Sequence, residues 1–260
     1  MSEAVKVERH GGVAVLRLDD PGAMNALSPA VKAGMQANVH KLVGDATVRA
    51  IVLTGTGKAF CAGGDIRAMK DPEGRKAPAV RARMQVTHAW ARALLDCDKP
   101  VIAAVNGAAV GGGLALALLA DIVIASRDAY FMSGYSKLGA LPDLGLLQTL
   151  PWAIGSLRAK EMILLNRRHT AEEAVAIGLA NRVVAPEKLM SEALAAAEEI
   201  AAGPAAMMTM SKVMMKRAYE ASVEEFFERE AISQAITFGS TEFSEGVDAF
   251  LSKRKPRFSG

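Results

Sequence analysis

Asn106-Gly107-Ala108-Ala109-Val110-Gly111-Gly112-Gly113 is the stretch of sequence that decides the fold. It lies between an apolar, strand-like run at residues 101–105 and an apolar, helix-like run at residues 114–119. A second glycine-rich turn, residues 58–66 (Lys-Ala-Phe-Cys-Ala-Gly-Gly-Asp-Ile), follows another predicted strand at residues 50–54. Glycines let the backbone approach a ligand closely, and two converging amides would stabilise an oxyanion. Taken singly, each turn is most often only a tight turn, and neither matches the dinucleotide fingerprint or the phosphate-binding loop.

Alternating strands and helices surround these turns and predict an α/β protein. Residues 5–9 and 13–18 predict a hairpin, and Ser28-Pro29 predicts the start of an amphipathic helix. A further helix is predicted over residues 78–96 and a strand over residues 122–125. Such βαβ units indicate a mostly parallel sheet.

The last third of the chain is dominated by helical patterns from Ser156 onward. Thr170 and Glu173 form a capping-box signature, and Gly178 marks the end of that helix. We place a boundary near residue 195. Residues 1–195 are predicted to form the core with the ligand site, and residues 196–260 a helical subdomain that buries its apolar surface against partner subunits.

Composition excludes several classes of function. The 260 residues are 51% hydrophobic and 23% charged, and the net charge of +3 gives no case for a nucleic-acid partner. Cys61 and Cys97 form neither a disulfide framework nor a metal-ligand spacing. The N-terminus shows no secretory signal, and the longest apolar stretch, residues 101–120, is interrupted by Asn106 and four glycines. We expect a soluble, cytoplasmic protein without a membrane or metal site.

The chain resembles the enoyl-CoA hydratase/isomerase (crotonase) superfamily over nearly its whole length. The matching segments are residues 25–27, 58–66, 106–113, 120–122, 137–139, 142–145 and 250–256. The resemblance implies a ClpP/crotonase-like ββα spiral core followed by a C-terminal helical subdomain. It also implies an acyl-CoA thioester as substrate, no cofactor other than the coenzyme A of that substrate, and a homotrimer or a dimer of trimers.

The same resemblance assigns roles to individual residues. The backbone amides of Gly64 and Gly112 would form the oxyanion hole, the pair of donors that binds the thioester oxygen. The residues that would line the CoA moiety, largely through their backbone, are Met24, Ala26, Ala62, Asp65 and Ile66. The basic tail around Lys253 and Lys255 could approach the CoA phosphates, although a solvated run of charge is an equally good interpretation.

Two positions depart from the hydratase pattern. Hydratases of this family use two glutamates to add water, and in this chain those positions hold Ala115 and Tyr135. One carboxylate, Asp143, remains nearby in an apolar setting that favours proton exchange. Residues 131–145 resemble the isomerase branch, including ring-epoxide isomerases of phenylacetyl-CoA catabolism and Δ3,Δ2-enoyl-CoA isomerases, in which one aspartate moves a proton between carbons. Alternatively, Asp143 caps a helix that begins near Leu144.

Other residues permit other interpretations. Aryl-CoA dehalogenases of the same superfamily use an aspartate nucleophile assisted by an aromatic residue and a histidine, which Asp143, Tyr135 and His88 could supply; a surface position for His88 is the simpler interpretation. Tyr135 could also line the acyl pocket. We interpret Asp121 as structural and Cys61 as a packing residue. Three functions remain: an isomerase using Asp143, a hydratase or hydrolase-dehalogenase of the same fold, and a catalytically silent acyl-CoA-binding protein.

Overall fold

The computed structural model describes residues 4–258 of the chain. Its strands, in chain order, are β1 (Val5–His10), β2 (Val13–Leu18), β3 (Ala50–Gly55), β4 (Ala59–Cys61), β5 (Val101–Val105), β6 (Ala108–Val110), β7 (Ile122–Ser126), β8 (Tyr130–Met132), β9 (His169–Thr170) and β10 (Arg182–Val184). The helices are α1 (Pro29–Gly44), α2 (Ala77–Asp96), α3 (Gly112–Ala117), α4 (Leu146–Ile154), α5 (Ser156–Leu165), α6 (Ala171–Ala176), α7 (Leu189–Ala201), α8 (Ala205–Arg217), α9 (Val223–Phe238) and α10 (Thr241–Leu251).

The strands form two sheets. One has six strands in the order β1-β2-β3-β5-β7-β10, and the other has four in the order β4-β6-β8-β9. Neighbouring strands are parallel except for the pairs β1–β2 and β8–β9. The predicted mostly parallel pairing is confirmed, while the division into two sheets was not predicted. The strands of the four-stranded sheet have two or three residues each, too few to show a periodicity in the sequence.

The predicted hairpin and helix starts are confirmed. Strands β1 and β2 pair in antiparallel register from Val5 opposite Leu18 to His10 opposite Val13. The Ser28 side chain caps α1 by accepting a hydrogen bond from the Val31 amide at 3.2 Å. Thr170 and Glu173 form the predicted capping box of α6. Local side-chain chemistry therefore sets these helix ends.

The six-stranded sheet is covered on both faces. Every residue of β3 and β5 is buried, which explains why these strands appear in the sequence as continuous apolar runs. One face packs in the large core cluster that includes residues of α1, α2 and α3. The other face packs against α7 through Leu189, Ala193 and Ala197. The boundary that we place near residue 195 falls within α7, and the division into two domains stays a prediction.

An ion pair between a buried lysine and a partly exposed aspartate attaches α8 to the core. The Lys212 ammonium lies 2.8 Å from Asp121 Oδ2 and donates to the Lys99 carbonyl at 2.7 Å. The same Asp121 oxygen accepts a hydrogen bond from the Val101 amide at 2.7 Å. Asp121 therefore has the structural role that the sequence predicted, because it joins β5 to the C-terminal helices.

The described part of the chain contains no membrane-spanning helix, no metal-ligand cluster and no disulfide. Between residues 4 and 258, no helix is both long and apolar enough to cross a membrane. The same part of the chain contains no group of three or more His, Cys, Asp or Glu side chains that could hold a metal ion. Cys61 and Cys97 are both free and buried.

Candidate active site

The two glycine-rich turns leave neighbouring strands of the small sheet. Strands β4 and β6 are adjacent and parallel, so their carboxyl ends, and the turns that follow them, lie side by side. Gly63 has φ +95°, and a Cβ built on it would lie 2.6 Å from the Val110 carbonyl oxygen and 3.4 Å from the Gly112 nitrogen. A side chain at Gly63 would therefore clash with the second turn, and glycine permits their close approach.

The two predicted amide donors have no hydrogen-bond acceptor in the described part of the chain. Gly112 is the first residue of α3, where a helix leaves its N–H groups without intrahelical acceptors. Beside Gly64, the Leu27 amide donates to the Gly63 carbonyl at 2.7 Å, and this contact does not use the Gly64 N–H. Within residues 4–258 neither the Gly64 nor the Gly112 N–H donates a hydrogen bond. Their joint role as donors to one ligand oxygen stays a prediction.

Apolar side chains surround these amides. The terminal methyl group of Met69 lies against Gly64, in the space where a Cβ would be. A Cβ on Gly112 would lie 2.8 Å from Leu27 Cδ1 and 3.5 Å from Leu144 Cδ1. Apolar walls exclude water and strengthen the hydrogen bonds that an amide makes to a charged oxygen. The sequence predicted that residues 69–86 help to line the acyl pocket, but it gave Leu27 and Leu144 no role at the amides, because apolar residues beside a glycine turn carry no distinguishing signal.

Tyr135 and Asp143 form a hydrogen-bonded pair beside the turns. The Tyr135 hydroxyl donates to Asp143 Oδ1 at 2.6 Å. The ring carbon that bears this hydroxyl lies 3.8 Å from the position of a Cβ built on Gly111. Burial, and next the negative charge of Asp143, raise the pKa of Tyr135 far above its ordinary value, so the phenol remains protonated. The structure thus brings together both residues that the sequence named.

The alternative role of Asp143, as a helix cap, is wrong. Leu144 and Gly145 both have positive φ, +53° and +78°, and helix α4 begins only at Leu146. Gly145 is its N-cap residue, and no side chain caps the helix. A left-handed conformation costs a residue such as Leu144 about 1–2 kcal/mol. The Asp143 carboxylate points instead to Tyr135.

The two positions that the resemblance assigns to the hydratase glutamates hold no carboxylate. Ala115 is fully buried in α3, where its amide donates to the Gly111 carbonyl at 3.0 Å.

His88, proposed as a partner of a nucleophilic Asp143, is exposed on α2 and forms no side-chain hydrogen bond within the described chain. Cys61 is fully buried, and burial raises the pKa of its thiol to about 12, as expected for a packing residue.

The residues predicted to line CoA lie around the first turn. The Ala62 amide donates to the Met24 carbonyl at 3.0 Å, which joins residues 24–27 to residues 62–66. Asp65 Oδ1 accepts from the Arg67 amide at 3.0 Å, Ala26 is buried, and Ile66 is exposed. Their predicted contact with CoA stays a prediction.

The basic tail is held by an interaction of its own. Glu245 accepts two hydrogen bonds from Arg254, at 2.6 and 2.7 Å, and one from the Arg257 amide at 2.7 Å. Lys253 and Lys255 are exposed, and no hydrogen bond within residues 4–258 connects them to the two turns. Their predicted approach to CoA phosphates stays a prediction.

Lys32 is a charged neighbour of the site that the sequence did not reveal. It lies half-buried on α1, and burial, then the charge of Arg83, lowers the pKa of its ammonium group. The charges of Asp143 and Asp65 oppose that decrease, so these carboxylates lie within electrostatic range of Lys32. Its sequence signal, one lysine on an amphipathic helix, is indistinguishable from that of a surface residue.

Comparison with solved structures defines the class of the fold. A crystal structure of enoyl-CoA hydratase/isomerase from Cupriavidus metallidurans aligns with a TM-score of 0.93 at 32% identity, covering 99% of this chain and 97% of that one. Enoyl-CoA hydratase from Bacillus anthracis aligns with a TM-score of 0.92 at 31% identity, covering 99% of both chains. The predicted crotonase fold, an α/β core with a C-terminal helical region, is confirmed.

Sequence comparison then identifies the family. The sequence model of the enoyl-CoA hydratase/isomerase family matches residues 8–260. A 1,2-epoxyphenylacetyl-CoA isomerase from Escherichia coli is 36% identical over 264 residues, covering 100% of both chains. A short-chain-enoyl-CoA hydratase from Clostridium acetobutylicum is 36% identical over 257 residues, covering 96% of this chain and 95% of the relative. The chain belongs to the enoyl-CoA hydratase/isomerase family.

Proposed function

We propose that the protein is an enoyl-CoA isomerase that moves a double bond along an acyl-CoA thioester. The observation that carries this proposal is the Asp143 carboxylate, which Tyr135 holds beside the second glycine turn; within residues 4–258 the Gly64 and Gly112 amides have no hydrogen-bond acceptor. Ala115 and Tyr135 stand where a hydratase has its two glutamates. The site therefore offers one group that can exchange a proton with carbon and two donors for the thioester oxygen.

The proposed reaction needs no net proton. The amides of Gly64 and Gly112 hold the thioester oxygen of a 3-enoyl-CoA, which acidifies the C2–H bond. Asp143 removes a C2 proton, and the electrons of that bond form a dienolate that extends from the thioester oxygen to C4. Asp143 then returns the proton to C4, so that the double bond lies between C2 and C3. One carboxylate performs both transfers.

Binding of the CoA moiety follows from the same surface. We assign it to Met24, Ala26, Ala62, Asp65 and Ile66, which border the first turn. We further propose that the protein is a homotrimer or a dimer of trimers, because α9 and α10 expose apolar side chains that a partner subunit would bury. Phe227, Ile232 and Phe250 are 64%, 54% and 84% exposed.

Hydration is the second candidate, since relatives of similar identity include a short-chain-enoyl-CoA hydratase. A hydratase must activate water and also protonate the acyl chain, which the family does with two glutamates. Here Asp143 would have to do both, with a Tyr135 phenol that does not ionise near neutral pH. This mismatch favours isomerisation over hydration.

The test is the variant Asp143→Asn, assayed with 3-enoyl-CoA and 2-enoyl-CoA. We expect double-bond migration to fall by about 100- to 10,000-fold, the usual contribution of a general acid–base group, while CoA binding is nearly unchanged. Asp128→Asn is a matched control, because Asp128 is exposed and its carboxylate makes no ion pair or hydrogen bond within the described chain.

Three results would count against the proposal. Full isomerase activity in Asp143→Asn would remove the carboxylate from the mechanism. Rapid hydration of 2-enoyl-CoA by the unaltered protein would favour the hydratase assignment. Tight CoA binding without either reaction would identify a catalytically silent protein.

A further inference from the structure

One oxygen of the Asp143 carboxylate is already occupied. The Tyr135 hydroxyl donates to Oδ1 at 2.6 Å, a short distance typical of a hydrogen bond to a charged acceptor. No other side-chain hydrogen bond to the Asp143 carboxylate occurs among residues 4–258. Oδ2 is therefore the oxygen that remains for a substrate.

Tyr135 itself is held firmly. The residue is 9% exposed, and its carbonyl accepts hydrogen bonds from the Leu138 amide at 2.9 Å and the Ala140 amide at 3.3 Å. The preceding residue, Gly134, donates to the Asn166 side chain at 2.6 Å. The hydroxyl is thus presented from a fixed ring on a hydrogen-bonded turn.

Asp143 has less support from its own backbone. It precedes two residues with positive φ and lies outside α4, so no regular hydrogen-bonded element fixes its side chain. A carboxylate in such a segment can rotate about its side-chain bonds and exchange its two oxygens. The hydrogen bond from Tyr135 opposes that rotation.

We propose that Tyr135 is a positioning residue that holds Oδ1 of Asp143, so that Oδ2 both removes the proton from C2 and returns it to C4. The C2–H bond breaks to form an Oδ2–H bond, and the Oδ2–H bond then breaks to form the C4–H bond. Tyr135 keeps its own proton throughout. The proton travels on one face of the dienolate, and the product retains hydrogen from the substrate.

This inference rests on the proposed isomerase function and deepens it. The experiment uses the full-length protein and 3-enoyl-CoA deuterated at C2, with mass spectrometry of the 2-enoyl product to locate the label. In the unaltered protein we expect deuterium at C4. Complete replacement of this deuterium by hydrogen from solvent would overturn the proposal. The measurement uses the unaltered protein, so it does not depend on the folding of a variant.

Tyr135→Phe removes the hydroxyl and keeps the ring, so the buried packing is preserved. We expect kcat to fall roughly 10- to 100-fold, the value of one hydrogen bond to a charged group, with KM little changed. We also expect more deuterium to be lost to solvent, because a freed carboxyl group can rotate and exchange. A purely structural role for Tyr135 would lower stability without moving the label.

Tyr130→Phe is the matched control, since Tyr130 lies on β8 and its ring packs under the Arg168 guanidinium, 3.7 Å from the ring centroid, rather than against Asp143. Its kcat and label retention should equal those of the unaltered protein. If Asp143→Asn abolishes activity but Tyr135→Phe retains full kcat and full label, the positioning role is wrong and the isomerase proposal stands. If Asp143→Asn is fully active, the proposed function itself is wrong.

Discussion

Replacing Gly112 with proline removes one proposed donor with little change elsewhere. Gly112 is the first residue of α3, the helical position that proline tolerates best because its N–H has no helical acceptor. The preceding residue, Gly111, has φ +56° and ψ −118°, the mirror image of the extended conformation that residues before proline adopt. Helix α3 should therefore still form.

The expected loss of activity follows from the missing hydrogen bond. Removing one donor from an oxyanion hole typically lowers the rate by about 100- to 1,000-fold, or about 2.7–4 kcal/mol. The control is Gly112→Ala, which keeps the N–H but adds the same Cβ, 2.8 Å from Leu27 Cδ1. Because Leu27 contacts this position with the end of a flexible side chain, we expect the alanine variant to lose much less activity.

The measurement is kcat/KM for isomerisation of 3-enoyl-CoA, followed by the absorbance of the conjugated product, with thermal unfolding of each variant as a check of folding. The ratio of kcat/KM between the alanine and proline variants measures the effect of replacing the N–H group with the proline ring, because both variants carry a Cβ. A folded Gly112→Pro protein with activity within tenfold of Gly112→Ala would refute the role of this amide.

Three further predictions concern groups around the site and the core. Lys212→Met should lower the free energy of unfolding, measured by denaturant titration, by about 2–4 kcal/mol. This is less than the full cost of breaking a buried ion pair, because the Asp121 side chain is 33% exposed. If the losses of Lys212→Met and Asp121→Asn add in the double variant, the two side chains do not interact. Cys61 and Cys97 should react with a thiol reagent only after unfolding, since burial raises the pKa of both thiols; rapid labelling of the native protein would contradict this. Folding raises the pKa of Tyr135, so the folded protein favours the neutral phenol; this contribution to the free energy of unfolding should be present in full below about pH 10 and be lost as the pH rises above that value. Above about pH 10 the melting temperature of Tyr135→Phe should therefore fall less steeply than that of the unaltered protein. Parallel curves of melting temperature against pH would contradict this prediction.

The larger elements of the fold were predictable because their signals are local. The hairpin, the capped start of α1 and the capping box of α6 each depend on a few neighbouring residues, and the structure confirms them. The small sheet was not predictable from periodicity. Its strands are two or three residues long, and their pairing depends on contacts between distant parts of the chain.

The candidate site was also predictable only in part. Asp143 and Tyr135 were named from a family pattern, but their hydrogen bond spans an irregular segment that no sequence rule describes. The sequence placed the start of α4 near Leu144. The helix begins instead at Leu146, because Leu144 and Gly145 have positive φ and do not adopt the helical conformation. Lys32 was not predicted, because its place near the site depends on the charges of residues distant in sequence.

The two proposed donors, at Gly64 and Gly112, belong to the main chain, and this affects how the protein can change by mutation. An N–H group of the main chain is present whatever side chain is encoded, and among the twenty amino acids proline alone deletes it. Single-nucleotide changes can therefore readily exchange the groups at positions 115, 135 and 143, while the donors at positions 64 and 112 persist through most of them. If these donors bind a thioester as we propose, substitutions at the other three positions could change the reaction while thioester binding is retained.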